Sequence, residues 1–375
     1  MGKPVSSPIL FVANSSWNLE HFRGPLITAL RAAGHRVVAA VPNGQDAVAG
    51  LDTWHFPLKP EGTAPLAELR TVLALLRIFR EARPAAVLSF TPKGNIYAGL
   101  AARALNIPLL PNISGLGTGF IRGGMLQRIQ SALYREALRP SPTVFFQNED
   151  DSALFQQLGL VRSEQVAMLP GSGVDCRRFR PSPLPSREPG AAKLLFVGRL
   201  LGDKGVRELA EAMRLLRPRY PALELTLVGG LGAANRTAIS AAEVRGWEEE
   251  GLLRHVGATE DVRPFIAAAD ALVLPSYREG MPRALLEGAA MGRPLLASDV
   301  PGCRQLVEDG VNGLLFESRS PQSLAKAIER LVEVGPERRQ SWGDSARSMA
   351  TSRYDEKLVI EAYLSRVIAL TGKAG

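Results

Sequence analysis

Short apolar runs alternate with longer segments of helical period along the whole chain, and this alternation restricts the fold more than any other feature. The runs Ile9–Ala13, Val37–Val41, Ala86–Phe90, Thr143–Phe146 and Val166–Leu169 read as buried strands. Between them, Pro65–Arg80, Asn95–Leu105, Met125–Leu138 and Asp150–Leu158 carry a helical period. The pattern implies βαβ units around a parallel sheet. It breaks at Arg178–Ala192, "RFRPSPLPSREPGAA", which reads as a linker. It then restarts with strands at Lys193–Val197, Leu223–Val228, Leu272–Leu274 and Pro294–Ala297, and helices at Gly205–Leu216 and from Pro282. Three helical segments, Pro321–Val334, Glu337–Ser352 and Asp355–Leu370, end the chain. At 375 residues there is room for two such domains. The expected division is 1–180, a linker at 181–192, a second domain at 193–352, and a terminal helix, 353–375, crossing back to the first.

The net charge of +8 favours an acidic partner: nucleic acid, an anionic membrane or a phosphorylated substrate. Aromatic residues are only 6% of the chain and are not interleaved with arginines as a stacking platform for bases, so nucleic acid is not expected. The two cysteines, Cys176 and Cys303, lie far apart, and the four histidines do not cluster with Cys or carboxylates at ligand spacing. No metal and no resident cofactor are expected. The start of the chain does not read as a signal peptide, and no apolar stretch is long enough to span a bilayer, which points to a cytoplasmic protein.

In open parallel sheets ligands bind beyond the carboxyl ends of the strands, so the motifs there carry the functional reading. The first strand of the second half runs into "FVGRLLGDKG", where Arg199 and Lys204 flank a glycine-containing turn before a helix. Cations beside a helix N-terminus suit a diphosphate, although a solvated basic loop looks the same in isolation. Farther on, "PSYREGMPRALLEGAAMGRP" places Glu279 before a helix that Pro282 would open, and Glu287 on its second turn. Glu279 and the backbone amides of Gly280 and Met281 suit sugar hydroxyls. Glu287 suits the two hydroxyls of a ribose. A dipole-stabilised carboxylate and a surface glutamate are the structural alternatives. Glu287, however, lies among Ala284, Leu285, Leu286, Ala289 and Ala290, where an unsatisfied carboxylate is costly. A Gly-Ser-Gly turn within "LPGSGVDCRRF" would let the domains close around a ligand.

The ordered set "GSGVD", "FVGRLLGDKG", "LTLVGG", "VGATEDV" and "LPSYREGMPRALLEGAAMGRPLLASDVPG" resembles retaining glycosyltransferases of family 4, which have the GT-B fold. That resemblance implies two Rossmann-like, doubly wound parallel-sheet domains facing a cleft. It implies that Arg199 and Lys204 contact the donor diphosphate, that Glu279 holds the donor sugar near its 3- and 4-hydroxyls, and that Glu287 holds the ribose. Thr259, in "VGATEDV", would line the base. The first half, with "NSSWNLEHFRGPLITALRAAGHRVVAAVP" and "SFTPKGNIYAGLAARALNIPLLPNISGLGTGF", is similar to bacterial transferases acting on undecaprenyl-diphosphate-linked sugars. It implies a UDP-sugar donor as co-substrate and a polyprenyl-diphosphate-linked glycan as acceptor. Two departures stand out: Asn14–Ser15–Ser16 replaces a glycine pair, and Thr91–Pro92–Lys93–Gly94–Asn95 lacks the histidine many members carry. Asn14, His21, Lys93 and Asn95 are the acceptor-side candidates, with Lys93 on a loop beside the acceptor phosphate. A sugar-nucleotide epimerase and a non-catalytic sugar-nucleotide-binding subunit are the rival readings.

"MLQRIQSALYREALRP", Met125–Pro140, sets Met125, Ile129 and Leu133 on one stripe beside Arg128, Arg135 and Arg139. Arg122 and Arg128 join the acceptor-side set. The stripe faces either the core or an anionic membrane on the inner face of the cytoplasmic membrane. Three arginines would contribute about 3 kcal/mol there, enough for reversible docking.

Overall fold

The computed structural model describes residues 7–58, 64–116, 120, 124–188, 190–232 and 237–372. Its contacts divide the chain into two compact units: residues 1–172 with 357–375, and residues 173–356.

The N-terminal unit is built on a seven-stranded parallel sheet: β1 (Ile9–Val12), β2 (Val37–Pro42), β3 (Asp52–Phe56), β4 (Ala86–Phe90), β5 (Leu109–Ile113), β6 (Val144–Phe146) and β7 (Val166–Met168). Its spatial order is β3-β2-β1-β4-β5-β6-β7. Ile9 pairs with Val37 on one side and Ala86 on the other, so β1 and β4 are the central neighbours. Side chains alternate between the two faces. Leu10, Val12, Val38 and Val87 meet α2 (Pro65–Ala82), α3 (Pro92–Ala104), α4 (Gly124–Leu138) and α5 (Glu149–Gln157) through Leu75, Phe79, Ala98, Tyr134 and Phe155. Ile9, Phe11, Val37 and Leu88 face the other way, onto Leu19, Leu26 and Leu30 of α1 (Ser16–Ala32). Val359, Tyr363 and Val367 of the last helix, α12 (Glu356–Thr371), complete that second layer.

The C-terminal unit repeats the plan with six parallel strands ordered β10-β9-β8-β11-β12-β13. They are β8 (Ala192–Val197), β9 (Leu223–Val228), β10 (Arg254–Gly257), β11 (Ala271–Leu274), β12 (Leu295–Ser298) and β13 (Gly313–Phe316). Its helices are α6 (Val206–Leu216), α7 (Ala241–Glu249), α8 (Arg263–Ala268), α9 (Arg283–Ala290), α10 (Pro321–Glu333) and α11 (Gly335–Arg353). In both sheets the chain reverses its direction of winding between two central strands, β1 and β4 in one and β8 and β11 in the other. Helices that follow those strands start at the same sheet edge and leave a crevice between them.

Several expectations are corrected. β3, β5, β10 and β13 escape the apolar-run reading. β3 is a half-exposed edge strand, and β5 contains Pro111. That proline is tolerated because β6 joins β5 only from Asn112 onward. α3 starts at Pro92, so Lys93 stands in a helical first turn and not on a loop. Pro282 is the extended residue before α9, whose first residue is Arg283. The boundary lies at 172/173, and the residues read as a linker belong to the C-terminal unit. They are held there by Arg293, fully buried, which donates to the carbonyls of Ser182, Pro183, Ile266 and Ala267 and to Ser182 Oγ. Burial pulls Arg293 down to about 10, and Asp270 opposes that shift. Arg187 adds an ion pair to Asp270. Gly173 has a local structural reason: it has φ +71°, and a Cβ there would run into the backbone of Glu356. The neighbouring Val174 pairs with Asp355, so the two chain crossings into this unit lie side by side.

Arg293→Leu should lower the stability of the C-terminal unit by on the order of 3 kcal/mol, because several buried carbonyls lose their donor together. Guanidinium unfolding followed by tryptophan fluorescence would read this. An unchanged midpoint would assign the linker's attachment to other contacts.

Candidate functional site

The crevice of the C-terminal unit is lined by two loops. The first follows β8: a 3-10 turn at Gly202–Lys204 leads through Gly205 into α6. Gly205 has φ +70°, and a Cβ on it would collide with the carbonyl of Pro275 in the second loop. That close approach explains the glycine. The second loop, Pro275–Pro282, runs from β11 to α9. Tyr277 ties the loops together: its amide donates to Asp203 O at 2.9 Å and its hydroxyl to Glu208 at 2.5 Å. The Arg319 guanidinium lies 4.4 Å over its ring.

This clamp brings Lys204 and Glu279 into an ion pair across the crevice, with side chains 24% and 11% exposed. Ser276 Oγ donates to the same Glu279 oxygen at 2.6 Å, and Ser298 Oγ holds the Ser276 carbonyl at 2.5 Å. Glu279 is thus oriented from two directions. Cys303 is buried beside the pair; burial pushes its thiol well above the usual range, so it stays neutral. Arg199 is exposed on the first loop, ahead of the 3-10 turn that leads into α6.

Glu287 sits on α9 with Arg283 one turn before it at 2.8 Å. The side chain is nearly buried, and burial pushes its carboxyl up, while Arg283 and Arg178 pull it back. It is not the surface residue that was the structural alternative. Gly280 and Pro282 are buried and Met281 half-buried in the intervening turn. Thr259 is exposed on the loop after β10, its hydroxyl bonded to the backbone of Asp261 at 3.2 Å. On the same side, His255 Nε2 lies 2.8 Å from the Gly229 carbonyl. The sequence reading missed Tyr277, Ser276, Ser298 and Arg319. Tyr277 and Ser276 stand inside the motif and were legible as its neighbours. Arg319 had no sequence signal, since its left-handed backbone, φ +63°, is visible only in the fold.

Such a pocket offers cations and first-turn amides for a diphosphate, and two carboxylates for hydroxyl groups. Among the described residues no three His, Cys, Asp or Glu cluster as a metal site.

The corresponding crevice of the N-terminal unit lies between the starts of α1 and α3. Ser15 caps α1 by accepting from the Asn18 amide at 3.1 Å, and Asn14 is exposed just before it. Thr91 precedes α3 at φ 72°, ψ 152°, a strained conformation for a non-glycine residue. Lys93 pairs with Glu68 of α2 at 2.9 Å. His21 is exposed and stacks on Trp17 with ring centroids 4.4 Å apart. Asn95 does not join the acceptor-side set. It is buried, accepts from Ser89 and donates to the Asn112 carbonyl, both at 2.8 Å. Asn112 in turn reaches Tyr363, so Asn95 belongs to a buried polar chain that fixes α12. Arg122 lies outside the described residues. Arg128 is exposed, whereas Arg135 is spent on the carbonyls of Leu158 and Gly159 at the end of α5.

Two Rossmann-like parallel-sheet units, each reversing its winding between two central strands, make up the GT-B fold. Residues 22–171 match the family "Glycosyl transferase 4-like domain" and residues 191–334 the family "Glycosyl transferases group 1". The chain belongs to these glycosyltransferases. It is similar to the N,N'-diacetylbacillosaminyl-diphospho-undecaprenol alpha-1,3-N-acetylgalactosaminyltransferase of Campylobacter jejuni, with 24% identity over 94% of this chain and 96% of that one. Among solved structures, sucrose-phosphate synthase from Thermosynechococcus elongatus superposes with a TM-score of 0.80 at 19% identity, covering 98% of this chain and 100% of that one. HepE from Anabaena, in complex with UDP-glucose, gives 0.77 at 20% identity, covering 96% and 99%.

Gly205→Ala should destabilise the C-terminal unit by on the order of 1–3 kcal/mol, from a left-handed backbone and a collision with Pro275. Gly246→Ala, in α7 where a Cβ meets nothing within 4 Å, should stabilise by about 1 kcal/mol. Thermal unfolding of both variants would test the pair. Equal effects would remove the close-approach argument.

Proposed function

We propose that the protein is a retaining, metal-independent hexosyltransferase. It moves a hexose or N-acetylhexosamine from a UDP-sugar to a polyprenyl-diphosphate-linked saccharide during assembly of a bacterial surface glycan. The observation that carries this reading is the Lys204–Glu279 pair across the switch point, beside the N-terminus of α6. The UDP-glucose bound by HepE supports the donor class, and the undecaprenyl-linked substrate in the Campylobacter relative's name supports the acceptor class.

In this reading the donor diphosphate lies on the first-turn amides of α6 and draws Lys204 and Arg199 to it. Glu279, released from Lys204, accepts the donor sugar's hydroxyls, and Glu287 accepts both ribose hydroxyls. Thr259 stands by the base, and Gly280 and Met281 offer amides to the sugar. The acceptor oxygen attacks the anomeric carbon on the face from which UDP departs. The carbon–oxygen bond to the β-phosphate breaks with its electrons going to UDP, and a phosphate oxygen takes the acceptor's proton. Lys204, Arg199 and the helix dipole stabilise the charge that builds on the leaving group. Asn14, His21 and Lys93 line the acceptor crevice. The acceptor's lipid sets the place of work: the anionic inner face of the cytoplasmic membrane.

UDP release from a panel of UDP-hexoses and UDP-N-acetylhexosamines should depend on a polyprenyl-diphosphate glycan extract and persist in EDTA. Lys204→Ala should lower kcat by about a hundredfold or more, with a smaller change in acceptor KM. Donor turnover without any acceptor would instead make the protein an epimerase.

UDP affinity should also depend on pH. Burial holds the Glu287 carboxyl above its ordinary range, so it takes up a proton at higher pH than exposed glutamates do. The charged form is the better acceptor for two hydroxyls, and affinity should rise with pH as Glu287 ionises. Calorimetry of UDP binding should show this slope in the wild type and a weaker, flatter profile in Glu287→Gln. A slope that survives the substitution would exclude Glu287 as its source.

A further inference from the structure

The glycines of "LPGSGVDCRRF" do not account for its second half, Asp175–Phe179, which is held rigidly within the C-terminal unit. Asp175 Oδ1 accepts from the amides of Arg177 and Arg178 at 2.9 and 3.0 Å and so sets the turn. Arg347 donates to the carbonyls of Cys176 and Phe179 and also to that of Ala290, the last residue of α9. A few residues on, Arg293 ties Ser182 and Pro183 to the Ile266 and Ala267 carbonyls of α8. The segment is thus fastened to two helices: α9, which carries Glu287, and α8, which the loop of Thr259 and Asp261 enters. Arg178 stands on this fixed turn with its side chain exposed. Its guanidinium lies 5.8 Å from the centre of the Phe179 ring, and among the described residues it enters no ion pair. Its charge nevertheless reaches two carboxylates that have cations of their own. At Glu287 burial raises the carboxyl, and Arg283 and then Arg178 oppose that shift. At Asp261 the Arg263 guanidinium, 2.7 and 2.8 Å away, holds the carboxyl down to about 2, and Arg178 adds to the effect. An unclaimed guanidinium therefore stands between the carboxylate proposed for the ribose and the loop proposed for the base.

We propose that Arg178 binds the nucleobase of the donor, presenting its planar fork to the carbonyl edge of uracil. The inference rests on the UDP-sugar reading above and adds to it the residue that recognises the base. Guanidinium has only donors, and uracil offers carbonyl oxygens to meet them. A base that turned an amino group to the same edge would set donor against donor and be disfavoured. Thr259 alone is a poor base partner, because its hydroxyl is already bonded to the backbone of Asp261. A role on the diphosphate fits less well. Lys204, Arg199 and the first-turn amides of α6 belong to the loop after β8, whereas Arg178 acts on the two carboxylates at the nucleoside end. The Asp175 turn and the Arg347 contacts fix the backbone beneath Arg178, so binding a base immobilises only one side chain.

The test is calorimetry of the full chain with UDP and with ribose 5-diphosphate, which keeps the sugar and the diphosphate and lacks the base. The wild type should bind UDP the more tightly. Arg178→Met should lose about tenfold or more in affinity for UDP but less than about twofold for ribose 5-diphosphate, with its thermal unfolding unchanged. Arg178→Lys keeps the charge near Glu287 and loses the fork, so it should recover at most part of the UDP affinity. Equal losses for the two ligands would overturn the proposal, since both carry the ribose and the diphosphate and only one carries the base. Full recovery in Arg178→Lys would overturn it as well, because charge alone would then suffice. Unchanged UDP binding in Arg178→Met would remove Arg178 from the site while leaving the donor reading intact. A wild type that binds neither ligand would instead overturn the donor reading, and the role of Arg178 with it.

Discussion

A helix that returns from one parallel strand to the next must begin at the carboxyl edge of the sheet, and the rest of this structure follows from that constraint. It puts the amino ends of α1 and α3, and of α6 and α9, beside the points where each sheet reverses its winding. Four helix starts with partial positive charge then line two crevices without any special sequence. What the sequence adds is the chemistry on the loops. Gly205 lets the β8 loop touch the β11 loop, Tyr277 fastens them, and the outcome is a lysine and a glutamate paired across the gap. The ion pair itself is a modest contributor to stability, because desolvation offsets much of its attraction. In the proposed function its value lies in being exchangeable: an arriving diphosphate would compete for Lys204 and leave Glu279 free to accept hydroxyls.

The buried charges divide by function. Arg293 is enclosed by carbonyls and is structural: its donors are met, and it fixes residues 182–183 to the C-terminal sheet. Glu287 is enclosed as well, and it pairs with the half-buried Arg283 one turn away, with Arg178 acting on it too. A carboxylate kept in an apolar helix with acceptor capacity left over costs stability, and a core would replace it with an aliphatic side chain. That retained cost is what the proposed role of Glu287 at the ribose would account for. Asn95 shows the opposite case, a buried polar residue in a suggestive motif whose side-chain oxygen and nitrogen both bond within the fold.

The fold was legible because strands buried on both faces leave continuous apolar runs that periodicity detects. The runs of β1, β2, β4, β8 and β9 were read within a residue or two. β3 and β10 were not, since an edge strand is half-exposed and its alternation is diluted by polar residues such as Asp52 and His55. The linker was misread for a related reason: "SPLPSREPG" has the composition of a free segment, and only the distant Arg293 and Asp270 show that it is pinned. On the proposed donor side the motif residues Lys204 and Glu279 meet, and Glu287 follows on the next helix, because the motif is local to two loops of one sheet. On the acceptor side the loops differ from the pattern. Lys93 turned out to be helical and ion-paired, a fact set by Glu68 twenty-five residues earlier.

That asymmetry between donor and acceptor sides has a physical origin. A nucleoside diphosphate is the same molecule in every enzyme that uses it, so charge, helix dipole and two carboxylates recur at fixed spacing and can be read. An acceptor carried by a lipid is recognised partly by the surface that brings it. A surface needs only a cationic, apolar edge at the right height, and many residue patterns supply one. The exposed leucines of α2 lie on an ordinary amphipathic helix whose inner stripe satisfies the period, so the sequence conceals that its outer stripe is apolar too. Only the burial of each side chain separates the two stripes. On the proposed reading, what the protein binds is written in the loops, whereas the exposed stripe of α2 shows only in what the fold leaves uncovered.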